Sequence, residues 1–191
     1  MDEAGLHKAL ERSRALGFLG PGPVSEHIVH GRAMAAALEA VPGRFLDLGS
    51  GGGVPGLVLA LCWPEAHGTL LDSAARRCSF LRESVEALGM EDHLEVVHDR
   101  AERAGHQPEL RERFDAVFAR SFGHAAVTVE CAAGFITVGG ALVVSEPPGG
   151  GRNWPAEHLR ELGLALDGPR VGRRSVVVFR KVASLDQRFP R

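Results

Sequence analysis

Residues 45–56, Phe-Leu-Asp-Leu-Gly-Ser-Gly-Gly-Gly-Val-Pro-Gly, constrain this chain more than any other stretch. A short apolar run carrying one acid, Asp47, feeds into glycines at 49, 51, 52 and 53, and an apolar segment resumes at Val54-Pro55. The pattern reads as strand, glycine turn, helix. Proline suits a first helical turn because the amide it lacks would have no partner there. Glycines let the backbone take positive φ and approach a ligand that a β-carbon would push away. Such a turn seats a flat or charged small molecule at a helix N-terminus.

Two cofactor classes use turns of this kind. Gly51, Gly53 and Gly56 satisfy G-x-G-x-x-G, the dinucleotide fingerprint. Asp47, Gly49, Gly51 and Gly53 also satisfy D-x-G-x-G-x-G, which resembles the first motif of class I S-adenosylmethionine (SAM) methyltransferases. The second match uses more residues, and its acid suits the sulfonium and ammonium charges of SAM while repelling dinucleotide phosphates. A ribose partner is expected about twenty residues on, at the tip of the next strand. His67-Gly-Thr-Leu-Leu-Asp72 supplies that strand, with Asp72 at its end. The length of 191 residues gives room for one full domain and a short extension. A dehydrogenase with a separate substrate domain would need more chain.

Composition agrees with a soluble core, hydrophobic residues being 45% and charged residues 24%. A formal net charge of −2 gives no global pull toward nucleic acid, so any RNA contact must be local. Arg170, Arg173, Arg174, Arg180 and Lys181 cluster near the C-terminus, as a local patch or as a solvated strand edge. Cys62, Cys78 and Cys131 lack C-x-x-C spacing and read as core packing. The acidic start has no signal-peptide core behind it, and no eighteen-residue apolar run spans a membrane. A cytoplasmic protein is expected.

The rest of the chain alternates. A helix over 3–16, with Leu6, Leu10 and Leu16 at near-helical spacing, is broken by Gly17–Pro23, and a second helix capped by Ser25 runs to about Ala40. Strands are predicted at 44–48, 67–72, 94–98, 114–119, 140–145 and 174–181, with helices at 55–61, 74–88, 124–133 and 155–162. This alternation implies an α/β fold with a mostly parallel sheet covered on both faces. A weaker apolar segment near 163–171 precedes the last strand across an Arg-Val-Gly-Arg turn, which gives an antiparallel finish. The organisation expected is a helical extension (1–40), a Rossmann-like domain of the class I methyltransferase type (41–182) and a tail (183–191).

With the strands placed, further motifs line up: Leu70-Leu-Asp-Ser73, Arg76-Arg-Cys-Ser-Phe-Leu81, Val96-Val-His-Asp-Arg-Ala-Glu102, Phe114-Asp-Ala-Val-Phe-Ala-Arg-Ser121 and Gly139-Gly-Ala-Leu-Val-Val144. Together with residues 46–56 this series resembles the GidB (RsmG) family, SAM-dependent methyltransferases of guanine N7 in small-subunit ribosomal RNA. The likeness covers about 44–145, and more loosely 25–40. It implies that Gly49, Gly51 and Gly53 lie under the methionine part of SAM and that Asp72 binds the ribose hydroxyls, with Asp47, Ser50 and Ser73 also in the cofactor's site. It further implies that Ala101 and Glu102 meet the adenine, and that Arg120 lies near the methionine carboxylate or the substrate. Departures fall on the substrate side. Glu146 stands where the family carries a basic residue, His30 replaces an acid in His27-Ile-Val-His-Gly31, and an upstream asparagine-leucine-threonine signature is missing.

Guanine N7 offers a lone pair without a proton, so transfer to it needs no general base, and positioning does most of the work. Arg120 is the one candidate catalytic residue. After the fourth predicted strand stands Ala-Arg-Ser-Phe122, not the D/N-P-P-aromatic signature of exocyclic-amine methylation, and no cysteine sits there for cytosine C5 chemistry. A hydroxyl or carboxyl acceptor would want a base, for which His27, His30 and His124 are the candidates; no third ligand completes a metal site with His27 and His30. Three readings follow: an RNA methyltransferase, a small-molecule methyltransferase on the same fold, or a module that binds SAM without turnover. For RNA, the contacts expected are Arg120, Arg152 and the Arg173–Arg174 turn.

Overall fold

The computed structural model describes residues 3–147, 151–170 and 176–191. Arg173 and Arg174, singled out by sequence, lie outside them. Seven strands form one sheet: β1 (Arg44–Leu48), β2 (His67–Asp72), β3 (Leu94–His98), β4 (Phe114–Ala119), β5 (Ile136–Ser145), β6 (Leu164–Arg170) and β7 (Val176–Lys181). Their order is β3-β2-β1-β4-β5-β7-β6. The first five run parallel, and β7 lies antiparallel between β5 and β6. Helices α1 (Glu3–Ala15), α2 (Val24–Ala35), α3 (Gly56–Cys62), α4 (Ala75–Ala87), α5 (Ala101–Ala104), α6 (Ala125–Ala133) and α7 (Ala156–Glu161) connect or flank the strands.

Strand alternation divides the core into two. Phe45, Leu70 and Phe118 face one cluster with Leu6, Leu10 and Ile28 of α1 and α2 and Leu57 and Val58 of α3. Their neighbours Leu46, Leu71 and Val117 face the other, with Val129 of α6, Phe179 of β7 and Phe189. Each fully buried side chain of this size contributes about 1.5–3 kcal/mol. The first two helices therefore share the sheet's core, and the last residues do too. Arg111 donates to the Leu185, Asp186 and Phe189 carbonyls, which ties 185–189 back to the chain after α5.

Several sequence expectations need correcting. Helix α2 starts at Val24 with Pro23 at its cap position and ends at Ala35, so Ser25 lies inside it and 36–40 are outside. Leu16 falls beyond α1 and is exposed. Strand β5 begins four residues early, at Ile136, because Gly139 and Gly140 sit in a bulge where the register against β4 jumps from Phe114↔Ile136 to Ala116↔Ala141. Cys62 is exposed, so only Cys78 and Cys131 pack in the core. Lys181 is buried, its Nζ donating to the Ala133 and Leu162 carbonyls at the ends of α6 and α7, and Arg180 pairs with Asp167. Those two residues thus supply no open basic patch. No helix among the described residues is long and apolar enough to cross a membrane.

Candidate functional site

The sheet order reverses between β1 and β4, and open α/β sheets bind ligands outside the strand ends at such a switch. A cleft of about 320 Å³ lies there, lined by Gly49, Asp72, Ser73, Asp99, Ala101, Glu102 and Phe122 among others. Its size is at the low end of the roughly 300–1,000 Å³ usual for small-molecule sites.

One wall is the turn after β1. The Gly49 and Ser50 amides donate to the Leu71 carbonyl at 2.8 and 2.9 Å, which binds the turn to the end of β2. Gly49 has φ +72, and a Cβ added there would lie 2.6 Å from Phe122 Cδ2, so both backbone and space demand glycine. A Cβ on Gly51 would be in ordinary contact with the Gly49 carbonyl oxygen at 3.7 Å, whereas one on Gly53 would lie 2.6 Å from Leu57 Cδ1. Ser50 turns inward, its Oγ donating to the Asp47 carbonyl. Of the turn residues named from sequence, only Gly49 lines the cleft.

Asp47 lies beneath this turn. Alternation puts it on the Phe45 face of β1, under the start of α3, where its Oδ2 accepts the Gly56 N–H at 2.9 Å. A Cβ on Gly56 would sit 2.2 Å from Leu70 Cδ2 and 2.6 Å from Asp47 Oδ2, so this close approach requires glycine. Oδ1 of Asp47 is buried with no hydrogen-bond partner. Burial pushes the carboxyl up to about 7, against the pull of the Gly56 amide and the Arg120 charge. Asp47 is not among the residues that line the cleft, and near neutral pH its carboxyl is only partly ionised.

Asp72 closes the second wall. Its side chain is buried, and Oδ2 accepts the Gly51 N–H at 2.9 Å while Oδ1 accepts the Ala74 N–H at 2.8 Å and Arg77 Nε at 3.0 Å. A carboxylate has about four lone-pair positions, so roughly one is left for a ligand unless the half-exposed Arg77 moves aside. Sequence placed Asp72 correctly at the strand tip; its second task, clamping the glycine turn, rests on a contact 21 residues away. Asp99, unremarked by sequence beyond its motif, accepts from the Arg100 amide, Arg103 and Gln107, and hydrogen bonding to Arg103 holds its carboxyl below the usual range. Glu102 pairs with Arg100.

Arg120 follows β4 and is reached from the N-terminal helices. Its Nη2 donates to His27 Nδ1 at 2.6 Å, while His27 Nε2 lies 3.1 Å from the Gly20 carbonyl. That pairing is consistent with the neutral tautomer carrying its proton on Nε2. His27 and His30 are both buried, so they do not form an exposed face at the cleft mouth. Ser13 Oγ also donates to the Gly52 carbonyl. Helices α1 and α2 thus hold the glycine turn and the residue after β4, although neither Gly52 nor Arg120 is among the residues that line the cleft. Glu146 spends its carboxylate on the chain that follows it, Oε2 accepting the Arg152 amide at 2.9 Å and Oε1 the Trp154 indole at 3.1 Å. Among the described residues no three His, Cys, Asp or Glu side chains gather to hold a metal ion.

Residues 24–146, from the start of α2 to the end of β5, match the GidB family, described as rRNA small subunit methyltransferase G. The chain belongs to this family. A relative named ribosomal RNA small subunit methyltransferase G, from Roseiflexus castenholzii, is 33% identical over 178 residues, covering 88% of this chain and 75% of that protein. Among solved structures, cofactor-bound Rv0187 from MTB aligns with TM-score 0.64 and 20% identity over 94% of this chain and 90% of its own. The O-methyltransferase NcsB1 of neocarzinostatin biosynthesis, in complex with S-adenosyl-L-homocysteine and 1,4-dihydroxy-2-naphthoic acid, aligns with TM-score 0.62 and 18% identity over 81% of this chain and 54% of its own. At these identities the structural likenesses establish the fold, that of class I methyltransferases. The GidB-family chain is a methyltransferase, and its matched span takes in the glycine turn, Asp72, the 99–102 segment and Arg120.

Proposed function

We propose that the cleft binds SAM and that the protein transfers its methyl group to a guanine N7 of small-subunit ribosomal RNA. The residues present suit the cofactor. Asp72 and Ser73 at the β2 tip would take the ribose hydroxyls, the backbone around Ala101 with Glu102 the adenine, and the turn Gly49–Gly53 the methionine portion. The buried Asp47 carboxylate, beneath the turn, would attract positive charge there, and Arg120 would meet the methionine carboxylate or the acceptor, its forked donors suiting either. When bound, SAM supplies an electrophilic methyl on a good leaving group.

The observation that carries the choice of acceptor is the family match over residues 24–146. Asp72, Asp99 and Glu102 are each paired with an arginine, Arg77, Arg103 and Arg100 respectively. Hydrogen bonding to Arg103 holds the Asp99 carboxyl below the usual range, which makes it a poor base for a protic acceptor. A lone pair already free of its proton, as at guanine N7, needs only to be held in line. The names of the chain's relatives point to the same substrate. Glu146, the acid that stands where the family carries a basic residue, accepts from the Arg152 amide and the Trp154 indole. A cytoplasmic location, where ribosomes are assembled, goes with this reading.

The test is incubation with methyl-labelled SAM and unmethylated small ribosomal subunits, followed by digestion of the RNA. Label in N7-methylguanosine is the expected outcome. Label confined to a small-molecule extract, or cofactor binding with no transfer to either pool, would overturn the reading.

A further inference from the structure

The turn after β4 carries more built-in constraint than its sequence requires. Ser121 has φ +55, a left-handed conformation that costs a non-glycine residue about 1–2 kcal/mol. Such strain persists where the surroundings over-determine it, and it concentrates at functional sites. Here the turn is pinned from a second side, because Arg152 Nη1 donates to the Gly123 carbonyl at 3.2 Å. Arg152 is itself fixed through its amide by Glu146. What this pinned turn presents is Phe122, half-buried, lining the cleft and packed over Gly49.

Position gives the ring its meaning. Asp72, Asp99 and Ala101 occupy the β2–β3 side of the cleft, and Gly49 with Ser121, Phe122 and Val127 occupies the β4 side. Val127 is 48% exposed, so the lip on that side is apolar and open to solvent. If the nucleoside half of the cofactor lies against Asp72 and Ala101, its other half ends beside Phe122. The acceptor atom must then arrive next to that ring. An aromatic face on an open lip suits a flat base drawn out of an RNA strand, and the Arg152 guanidinium beside it suits the adjoining phosphate.

Resting on the function proposed above, we propose that Phe122 is the platform on which the acceptor guanine stacks, held in place by the Ser121 turn and Arg152. The ring positions the base and does no bond-making. It deepens the substrate reading by naming the residue that selects a splayed-out base.

The experiment compares wild type with Phe122→Leu, Phe122→Tyr and Arg152→Gln in methyl transfer to small ribosomal subunits, with S-adenosylhomocysteine affinity measured alongside. Loss of base–aromatic stacking should raise the KM for subunits by about tenfold or more in Phe122→Leu. Phe122→Tyr, which keeps the ring, should stay within about threefold of wild type, and S-adenosylhomocysteine affinity should change by less than about threefold in both. Arg152→Gln should raise the same KM and flatten its dependence on salt. A subunit KM unchanged in Phe122→Leu, or equal losses for Leu and Tyr, would overturn the proposal. So would a fall in cofactor affinity that matches the loss in transfer, since the ring would then belong to the cofactor's pocket. Absence of any transfer by the wild type would instead bring down the function itself, and this proposal with it.

Discussion

Replacing Asp47 by Asn keeps a carbonyl oxygen for the Gly56 N–H and removes a buried charge. Burial holds the Asp47 carboxyl at about 7 in the folded protein, against 3.8 for an unhindered aspartate. The folded state therefore keeps a proton that the unfolded chain gives up, and the contribution of Asp47 to stability is lost as pH rises from about 4 to about 7. At about 1.4 kcal/mol per pKa unit, the full cost of the ionised carboxylate is on the order of 4 kcal/mol. Rather more than half of that change falls between pH 5 and pH 8. Urea unfolding of wild type and Asp47→Asn at the two pH values isolates it, because every other titrating group cancels in the difference. The variant should gain on wild type by about that amount at pH 8 relative to pH 5, whatever fixed cost its amide brings. It should also bind S-adenosylhomocysteine roughly tenfold more weakly, stability rising as function falls. A stability difference independent of pH would show that the carboxylate is not strained beneath the turn.

Asp72→Ala should weaken S-adenosylhomocysteine binding by about 1.5–3 kcal/mol, or roughly ten- to hundredfold in calorimetry. Its melting temperature should fall as well, since the Gly51 and Ala74 amides lose their acceptor; unchanged affinity in a folded variant would place the ribose elsewhere. Gly51→Val forces a β-branched side chain to φ +54, and should abolish cofactor binding while leaving the circular dichroism spectrum intact. Normal binding by that variant would reduce the turn to a structural connection.

The parallel strands were legible because each alternates between two cores, Phe45 with Leu46 and Leu70 with Leu71, within a few residues of chain. What escaped the sequence depends on contacts between distant residues. The predicted strand opens only at Gly140, although pairing with β4 begins at Ile136 and runs on through a bulge at the two glycines. Lys181 read as surface charge, although carbonyls 19 and 48 residues away take its protons. At the candidate site, the glycine spacing and the strand-tip acid marked the end of the sheet where the cleft opens. Periodicity could not show that Asp47 points beneath the turn, because that needs α3 laid across β1. Nor could the string Ala-Arg-Ser-Phe show that Ser121 is left-handed or that Phe122 leans on Gly49.

The most direct measurement of the central claim is calorimetric titration of the wild-type protein with S-adenosylhomocysteine and, separately, with NAD across pH 6 to 8. S-adenosylhomocysteine should bind one to one, more tightly as pH rises through about 7, because its ammonium group favours the ionised form of Asp47. NAD should bind far more weakly or not at all. Tighter binding of NAD would mean that the glycine turn serves a dinucleotide, and that the account given of this cleft is wrong.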